Sequence, residues 1–423
     1  MRLAFQNQIL VFVAVVWVLV YVVWDKITKN RGKLRIYPLI IIYESSAFKK
    51  LIERLGSSRK DLWRKIGGIS DKIFPIVMFF AIIYITLNLI AQLRKALLIM
   101  YGVPIGSRFV IIIPFLTLPP SKLLVMLIFA FAPAVVAHEF FHGTVSIAED
   151  VDLESTGFFF SLGLFGGFVE PELEKLMKSN NGQHRDMSYG QSPSRGSIQR
   201  SEYGKNTNER NHHKKIRRIL SAGILANIVL ASIFFVAYYS IGRLNLCEPY
   251  GLRIVDVADG SPAQKYGIRK SDIIVRINGT RIRTFGDLEA YMANVKPGSK
   301  VVIDIIRNRE IVKVELIVGE KNGKPWIGIT VTQYYRSNVP WISDELMFDI
   351  YFFTYLNFIV EFLVVVLNVL PCFILDGAQW LRVVLYEKYG GRSHYLFILI
   401  NAITTIILLL NFIAPIVSTL IIK

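Results

Sequence analysis

The stretch LLVMLIFAFAPAVVAHEFFHGTVSI, residues Leu123–Ile147, carries the pattern His138-Glu139-Phe140-Phe141-His142 inside an apolar run long enough to cross a bilayer as a helix. In a helix, two histidines four residues apart lie about 40° apart around the axis, so they share one face. Their imidazoles can therefore bind one zinc ion, and the glutamate between them can activate a water molecule. Because ionisable side chains at membrane depth are costly, the pattern predicts a functional metal site within a membrane helix.

The rest of the chain is also more apolar than a soluble protein of this length. Hydrophobic residues make up 53% of the 423 residues, and the mean hydropathy is +0.43. The first of six candidate spans is short, but no cleavage pattern follows it, so we interpret it as an uncleaved membrane helix. The predicted spans are Ile9–Trp24, Ile73–Leu93, Leu123–Ile147, Ile219–Ile241, Met347–Leu370 and Leu396–Ile422.

The net charge of +17 would suggest nucleic-acid binding in a soluble protein, but in a membrane protein it indicates topology. Loop 25–72 contains 13 Lys and Arg against five Asp and Glu, and loop 171–218 contains 11 against five. The stretch 94–121 contains only Arg94, Lys95 and Arg108 as basic residues. Since cytoplasmic loops collect Lys and Arg, we expect both basic loops inside, both termini outside and no nucleic-acid partner.

The two cysteines, Cys247 and Cys372, follow different predicted spans, so a disulfide between them is not expected. The chain has no Cys-x-x-Cys pair, which excludes a cysteine-rich structural zinc site. The isoleucine-rich, cysteine-poor, basic composition is typical of a thermophilic prokaryote.

Four stretches between the predicted spans have sequence patterns that differ from those of a membrane-spanning helix. Loop 25–72 shows mixed helical patterning and is interpreted as a cytoplasmic surface element. Segment Val110–Thr117 is apolar but too short to span, which favours an interfacial position. The glycine-dotted segment Gly157–Val169 is typical of a β-hairpin or a re-entrant loop, and the polar stretch Met177–His213 of a disordered linker.

Residues 245–335 read as a folded domain outside the membrane. The blocks Gly260-Ser-Pro-Ala and Asp272-Ile-Ile-Val-Arg-Ile-Asn-Gly279 precede a predicted helix at Phe285–Ala293 and strands at Lys300–Arg307 and Ile311–Ile317. This order resembles a PDZ domain of the bacterial and archaeal protease-associated type. The resemblance implies that peptide ends or extended segments bind by strand addition, with Tyr250, Gly251 and Leu252 in the carboxylate loop. A domain that only gates the membrane core is the alternative.

A catalytic zinc usually needs a third protein ligand. The stretch Asn368-Val-Leu-Pro371-Cys-Phe-Ile-Leu-Asp376-Gly377 ends the fifth predicted span, and an aspartate there is costly unless it is paired or binds a metal. Pro371 should break the helix just before it. The loop charges predict that the third and fifth spans both run from outside to inside, which places Asp376 at about the depth of His138.

The two motifs together resemble the site-2 protease family of intramembrane zinc metalloproteases, many members of which contain a PDZ domain. The segment Gly223-Ile-Leu-Ala-Asn227 is a third match, to the family's Gly-x-x-x-Asn helix. The resemblance implies one Zn²⁺ per chain, bound by His138, His142 and Asp376. It further implies that Glu139 is the general base and then the proton donor to the leaving amine.

The family resemblance also implies roles in substrate handling. Asn368 would bind the substrate backbone or the oxyanion, although helix packing is an alternative. Asn227 would either contact substrate or brace the core. A helical substrate must be unwound before water can attack, and the segment containing Gly166 and Gly167 could offer a free strand edge for that purpose. A plain re-entrant loop without substrate contact is the other interpretation.

The predicted fold is a multi-pass α-helical membrane protein with about six transmembrane helices and an inserted extracytoplasmic α+β PDZ domain. Its parts are an N-terminal membrane region (1–121), a first catalytic part (122–243), the PDZ domain (245–335) and a second catalytic part (345–423). The protein would lie in the cell membrane with its site toward the cytoplasm. It would cut transmembrane segments of other proteins, after a first cut elsewhere. The rival functions are a non-catalytic membrane scaffold that presents a PDZ domain and holds a structural metal, which has no need of Glu139, and a transporter, which has no need of the His-Glu-x-x-His spacing.

Overall fold

A computed structural model describes residues 33–37, 40–100, 122–161, 164–173, 202–373 and 375–421. The predicted span Ile9–Trp24 and the apolar segment Val110–Thr117 lie outside these described residues. The chain divides into two compact units, one of Met1–Ile233 with Leu356–Lys423 and one of Phe234–Tyr355.

Helices dominate the first unit, and the described residues of the other five predicted spans lie in helices, except for Leu370, which directly follows the end of its helix. Among the described residues, five helical segments are long and apolar enough to cross a membrane: Lys60–Arg94, Val125–Ala148, Arg210–Arg243, Asp344–Val369 and Asp376–Ala414. The helices are α1 (Ser46–Ser58), α2 (Lys60–Met100), α3 (Lys122–Ala148), α4 (Glu202–Arg243), α5 (Pro262–Lys265), α6 (Phe285–Met292), α7 (Asp344–Val369), α8 (Asp376–Tyr389) and α9 (Ser393–Ile421).

The core of the first unit is formed by apolar faces of α2, α4, α7, α8 and α9. Phe74 of α2 stacks on Trp380 of α8, with ring centroids 5.0 Å apart. Other buried members include Leu220, Val369 and Leu408. The opposite faces expose large apolar side chains, as expected where a helix meets lipid rather than water.

The turn after α7 confirms the expected helix break. α7 ends at Val369, two residues before Pro371, and a new helix starts at Asp376. A proline lacks the backbone N–H that would continue the helix, and its ring clashes with the preceding turn. Asp376 therefore lies in the first turn of α8 rather than at the end of a continuous span.

A four-stranded antiparallel sheet, in the order β1-β2-β3-β4, lies beside α3 in the first unit. Its strands are β1 (Leu34–Tyr37), β2 (Ile40–Glu44), β3 (Leu153–Ser161) and β4 (Leu164–Pro171). The hairpin expected at Gly157–Val169 is therefore present, and β4 is an edge strand. The helical patterning of loop 25–72 is confirmed, but the loop also contains two strands that were not expected. The expectation of a disordered linker was wrong for residues 202–213, which belong to helix α4, while residues 177–201 lie outside the described residues.

The second unit contains a separate β domain, Cys247–Ser337, with a sheet in the order β12-β5-β6-β8-β9. Its buried core is aliphatic and includes Leu252, Ile274 and Ile303. The strands are β5 (Cys247–Val257), β6 (Ile273–Ile277), β7 (Thr280–Arg281), β8 (Lys300–Arg307), β9 (Glu310–Ile317), β10 (Gly319–Lys321), β11 (Lys324–Trp326) and β12 (Ile329–Ser337).

Both cysteines are free thiols and both are buried, in agreement with the expectation of no disulfide. Burial, with a contribution from the Asp344 carboxylate, raises the pKa of the Cys247 thiol to about 11. Cys247 is therefore a neutral, unreactive side chain at physiological pH.

Candidate metal centre

Three side chains from two helices converge at one point in the first unit. His138 and His142 lie on one face of α3, and Asp376 begins α8. The Nε2 atoms of the two histidines are 3.0 Å apart. Asp376 Oδ2 lies 2.9 Å from His138 Nε2 and 3.2 Å from His142 Nε2. Both imidazoles are buried, and the Asp376 side chain is 18% exposed.

The other nitrogen of each imidazole faces a hydrogen-bond acceptor. His142 Nδ1 donates to the Ile219 carbonyl oxygen at 2.6 Å. His138 Nδ1 lies 2.6 Å from Asn227 Oδ1. The amide nitrogen of Asn227 points the other way and donates to the Ala134 carbonyl, so its oxygen must be the atom that faces His138. Both neutral imidazoles therefore carry their proton on Nδ1, which leaves a lone pair on each Nε2.

This arrangement fits a bound cation. Two lone-pair nitrogens and a carboxylate oxygen face one another at 2.9–3.2 Å, with no proton between the two Nε2 atoms of neutral histidines. Tetrahedral zinc with bonds of about 2.0–2.1 Å needs ligand atoms about 3.3 Å apart, which is close to these separations. Imidazole and carboxylate are also ligand types that zinc accepts. Within the described residues this is the one cluster of at least three such donors.

The Glu139 carboxylate reaches from α3 to the edge of the four-stranded sheet. Its Oε2 accepts a hydrogen bond from the backbone N–H of Val169 in β4 at 3.0 Å. Val169 pairs with Thr156 of β3, whose carbonyl oxygen accepts from Ser45 N on the opposite side. The backbone N–H of Val169 therefore points away from β3, toward the open edge of the sheet. Glu139 thus lies between the metal ligands and a free strand edge.

Gly223 of α4 lies directly against the two histidines. A Cβ atom at this position would lie 2.5 Å from His142 Nε2 and 2.7 Å from His138 Nε2. Real Cβ contacts are essentially never this short, so any side chain here would displace a ligand atom. In the sequence Gly223 is recognisable only as part of the Gly-x-x-x-Asn match, and its position against the histidines follows from the way α4 packs on α3.

The remaining predicted site residues lie in different surroundings. Gly166 and Gly167 are in edge strand β4, as expected for a segment that offers a strand edge. Asn368 is half-buried in the last turn of α7, and its side chain makes no hydrogen bond to another described residue. Asn227 is fully buried with both amide atoms bonded to protein groups, which matches the bracing alternative rather than substrate contact.

The structure differs from the expectation for Tyr250, Gly251 and Leu252. They lie inside β5, where Gly251 pairs with Tyr334 of β12 and Leu252 pairs with Ile274 of β6. β5 lies between β12 and β6 in the order of the sheet, so it is not an edge strand to which a peptide could add. Among the described strands it is β12 that ends this side of the sheet.

One candidate residue beside the metal ligands was not identified from the sequence. Glu361 is a single carboxylate in the apolar interior of α7, with 0% exposure. Its Oε2 accepts a hydrogen bond from Asn227 Nδ2 at 2.6 Å. The signal was available, because an ionisable residue in the middle of a predicted span is a functional candidate by default. Asn368, seven residues later, was identified as a candidate site residue only through its motif.

One protein family and several known proteins are similar to this chain. The sequence profile described as peptidase family M50 matches residues 126–410. An uncharacterized protein of Methanocaldococcus jannaschii is 28% identical over 380 residues, which cover 89% of this chain and 85% of that protein. A candidate zinc metalloprotease of Campylobacter jejuni is 36% identical over 106 residues, 25% of this chain and 26% of that protein.

Among solved structures, the PDZ domain of an SdrC-like protein from Listeria monocytogenes is 25% identical. The matched region covers 20% of this chain and 88% of the solved chain, and the TM-score is 0.19.

Proposed function

The chain belongs to peptidase family M50, a family of membrane proteins, and from this membership we propose that it is a zinc metalloprotease that hydrolyses peptide bonds within transmembrane segments of other proteins. The observation that carries the proposal is the triangle of His138 Nε2, His142 Nε2 and Asp376 Oδ2. These residues would hold one zinc ion. A bound zinc ion would supply a Lewis acid that polarises the scissile carbonyl and makes water more acidic.

Glu139 would move the protons in this reaction. Its carboxylate lies next to His138 in sequence and faces the sheet edge, so it can accept a proton from the attacking water. The same carboxyl group can then donate that proton to the leaving amine, which regenerates the carboxylate. In this proposal Asn368 hydrogen-bonds the substrate backbone near the end of α7.

The substrate would be held as an extended strand against β4. Because backbone groups alternate along a strand, the N–H and C=O of Gly167 point to the same open side as the Val169 N–H. A segment unwound from a transmembrane helix could pair with these groups, and its peptide bonds would then lie beside Glu139. Strand pairing also satisfies the backbone groups that unwinding exposes at membrane depth.

We place the site toward the cytoplasmic face, with both termini and the β domain outside. Basic residues of both loops meet at the end of α3 that follows His142: Lys60 Nζ lies 2.6 Å from Asp150 Oδ1, and Arg218 Nη1 lies 2.6 Å from Glu149 Oε1. The hydrogen bond from Lys60 also lowers the pKa of the Asp150 carboxyl. Cytoplasmic ends of membrane helices collect such residues, which supports this orientation.

The β domain would act as a PDZ domain that selects substrates already shortened by a first cut. We propose that peptide ends or extended segments pair with β12 rather than with β5, because β12 has an open edge. Thr332 of β12 pairs with Arg253 of β5. Because backbone groups alternate in direction along a strand, the N–H and C=O groups of Val331 and Gln333 point to the opposite side from those of Thr332.

The variant Glu139→Gln tests the proposed reaction. Purified protein in detergent should cleave a transmembrane substrate, and the variant should lose at least about 100-fold in rate, because it lacks the general base. Its zinc content should stay near one ion per chain, as measured by elemental analysis. Cleavage by Glu139→Gln at the wild-type rate would exclude this mechanism, and wild-type protein without zinc would exclude the ligand assignment.

A further inference from the structure

A buried carboxylate on α7 connects to the metal ligands through a single side chain. Glu361 Oε2 accepts from Asn227 Nδ2 at 2.6 Å, and Asn227 Oδ1 accepts from His138 Nδ1 at 2.6 Å. Glu361 and Asn227 are both fully buried, and His138 is 5% exposed. Three membrane helices, α7, α4 and α3, are thus joined by a continuous row of hydrogen bonds that ends at a metal ligand.

We propose that Glu361 is a positioning residue for the metal centre, acting through Asn227. An amide side chain can point either its oxygen or its nitrogen at a neighbour, and only the oxygen can accept the proton on His138 Nδ1. Glu361 Oε2 and the Ala134 carbonyl are both acceptors, and both contact the nitrogen of Asn227. They therefore hold the amide in the orientation that directs its oxygen toward His138.

This orientation decides which nitrogen of His138 is free for a metal. With its proton held on Nδ1, the imidazole directs the Nε2 lone pair toward Asp376 and His142. If Asn227 turned over, its N–H would meet Nδ1, and the proton would move to Nε2, where it blocks metal binding. Removing a hydrogen-bond partner of a ligating histidine typically lowers metal affinity roughly 10–100-fold.

The role assigned to Glu361 needs an acceptor oxygen rather than a particular charge. Its second oxygen, Oε1, has no hydrogen-bond partner among the described residues. A glutamine could therefore present its own oxygen to Asn227 and place its amide nitrogen where Oε1 lies, without breaking an existing bond. Methionine has a similar length and shape but offers no comparable acceptor.

The test measures zinc affinity of the full-length protein in detergent, by competition with a chromophoric chelator. The inference rests on the proposed zinc site, but the measurement does not depend on proteolysis. We expect Glu361→Met to weaken zinc binding roughly 10–100-fold and Glu361→Gln to stay within about threefold of wild type. The control Thr404→Val removes a different buried polar group, a hydroxyl that donates to Ile400 O in its own helix, and should leave zinc affinity unchanged.

A double-mutant cycle separates positioning from general stability. If Glu361 acts through Asn227, Glu361→Met should cause no further loss of zinc affinity once Asn227→Ala is present. Additive losses, or wild-type affinity in Glu361→Met, would overturn the inference. If wild-type protein itself binds no zinc, the proposed function fails instead.

A donor–acceptor exchange tests the contact even if Glu361→Met does not fold. Asn227→Asp alone places two carboxylates against each other and should weaken zinc binding. Adding Glu361→Gln supplies an N–H that can donate to the new carboxylate, which can still accept from His138 Nδ1. We expect the double variant to recover at least tenfold in zinc affinity over Asn227→Asp. No recovery would contradict direct contact between positions 227 and 361.

Discussion

At the residue scale, the candidate metal centre depends as much on what surrounds the ligands as on the ligands. His138 and His142 each use Nδ1 to donate to an oxygen on α4, which leaves Nε2 for a metal. Gly223 supplies the space in front of the same two rings. One helix, α4, therefore both orients the ligands and leaves room for what they bind.

Gly223→Ala should disrupt the metal centre. The added methyl group would lie 2.5 Å from His142 Nε2, so an imidazole held by Ile219 O would have to move. We expect zinc affinity and cleavage to fall at least about tenfold, as for other changes that misplace a ligating histidine. The matched control is Gly242→Ala in the same helix, where a Cβ meets no atom within 4 Å. Equal zinc affinities in the two variants would contradict the geometry described above.

At the element scale, the hairpin of β3 and β4 contacts α3 beside the candidate metal centre. Its edge strand β4 presents the Val169 N–H to Glu139. The two additional strands, β1 and β2, lie on the far side of β3, so among the described strands it is β4 that borders Glu139. The sheet therefore extends away from the site and leaves the edge nearest Glu139 available for a substrate strand.

Gly167→Pro tests this edge. Proline removes a backbone N–H that points to the open side, while the ladder to β3 keeps its own hydrogen bonds. We expect kcat/KM for a transmembrane substrate to fall more than about tenfold, with zinc content unchanged. Gly167→Ala keeps the N–H, and its Cβ would meet Val136 Cα at an ordinary 3.5 Å, so it should cleave nearly as wild type. Comparable rates for the two variants would argue against strand pairing at β4.

At the scale of the whole molecule, the metal centre joins distant parts of the chain. The ligands come from α3 and α8, and their partners come from α4 and α7. α2, which lies entirely before the stretch matched by the family profile, also contributes: Asp71 Oδ1 accepts from Trp380 Nε1 of α8 at 2.8 Å. A metal bound at this junction should therefore stabilise the helical unit as a whole.

Removal of zinc should lower the melting temperature of the protein in detergent. A ligand that binds only the folded state at about 100 times its Kd adds about 2.7 kcal/mol to the free energy of unfolding. We expect a chelator to remove this stabilisation, added zinc to restore it, and Asp376→Ala to show neither response. A zinc-dependent shift that persists in Asp376→Ala would place the ion elsewhere.

Sequence reasoning succeeded where the signal is local. Helix geometry places two histidines four residues apart, His138 and His142, on one face of the helix. The helix break before Asp376 follows from the chemistry of proline. The hairpin at β3 and β4 was also visible, from its glycines. It failed where the outcome depends on pairing: β1 and β2 were not identified, and the residues expected in a carboxylate loop, Tyr250–Leu252, lie within the paired strand β5.

The amino-acid sequence by itself determined the set of residues that could bind a metal, since ligand type, helical periodicity and membrane hydropathy are properties of short stretches. Only the tertiary structure decided what holds them. His138 meets Asn227 across 89 residues, and Asn227 meets Glu361 across 134. Such contacts arise from the packing of whole helices, which buries polar groups against one another and forces each to find a partner. No local pattern specifies which partner that will be.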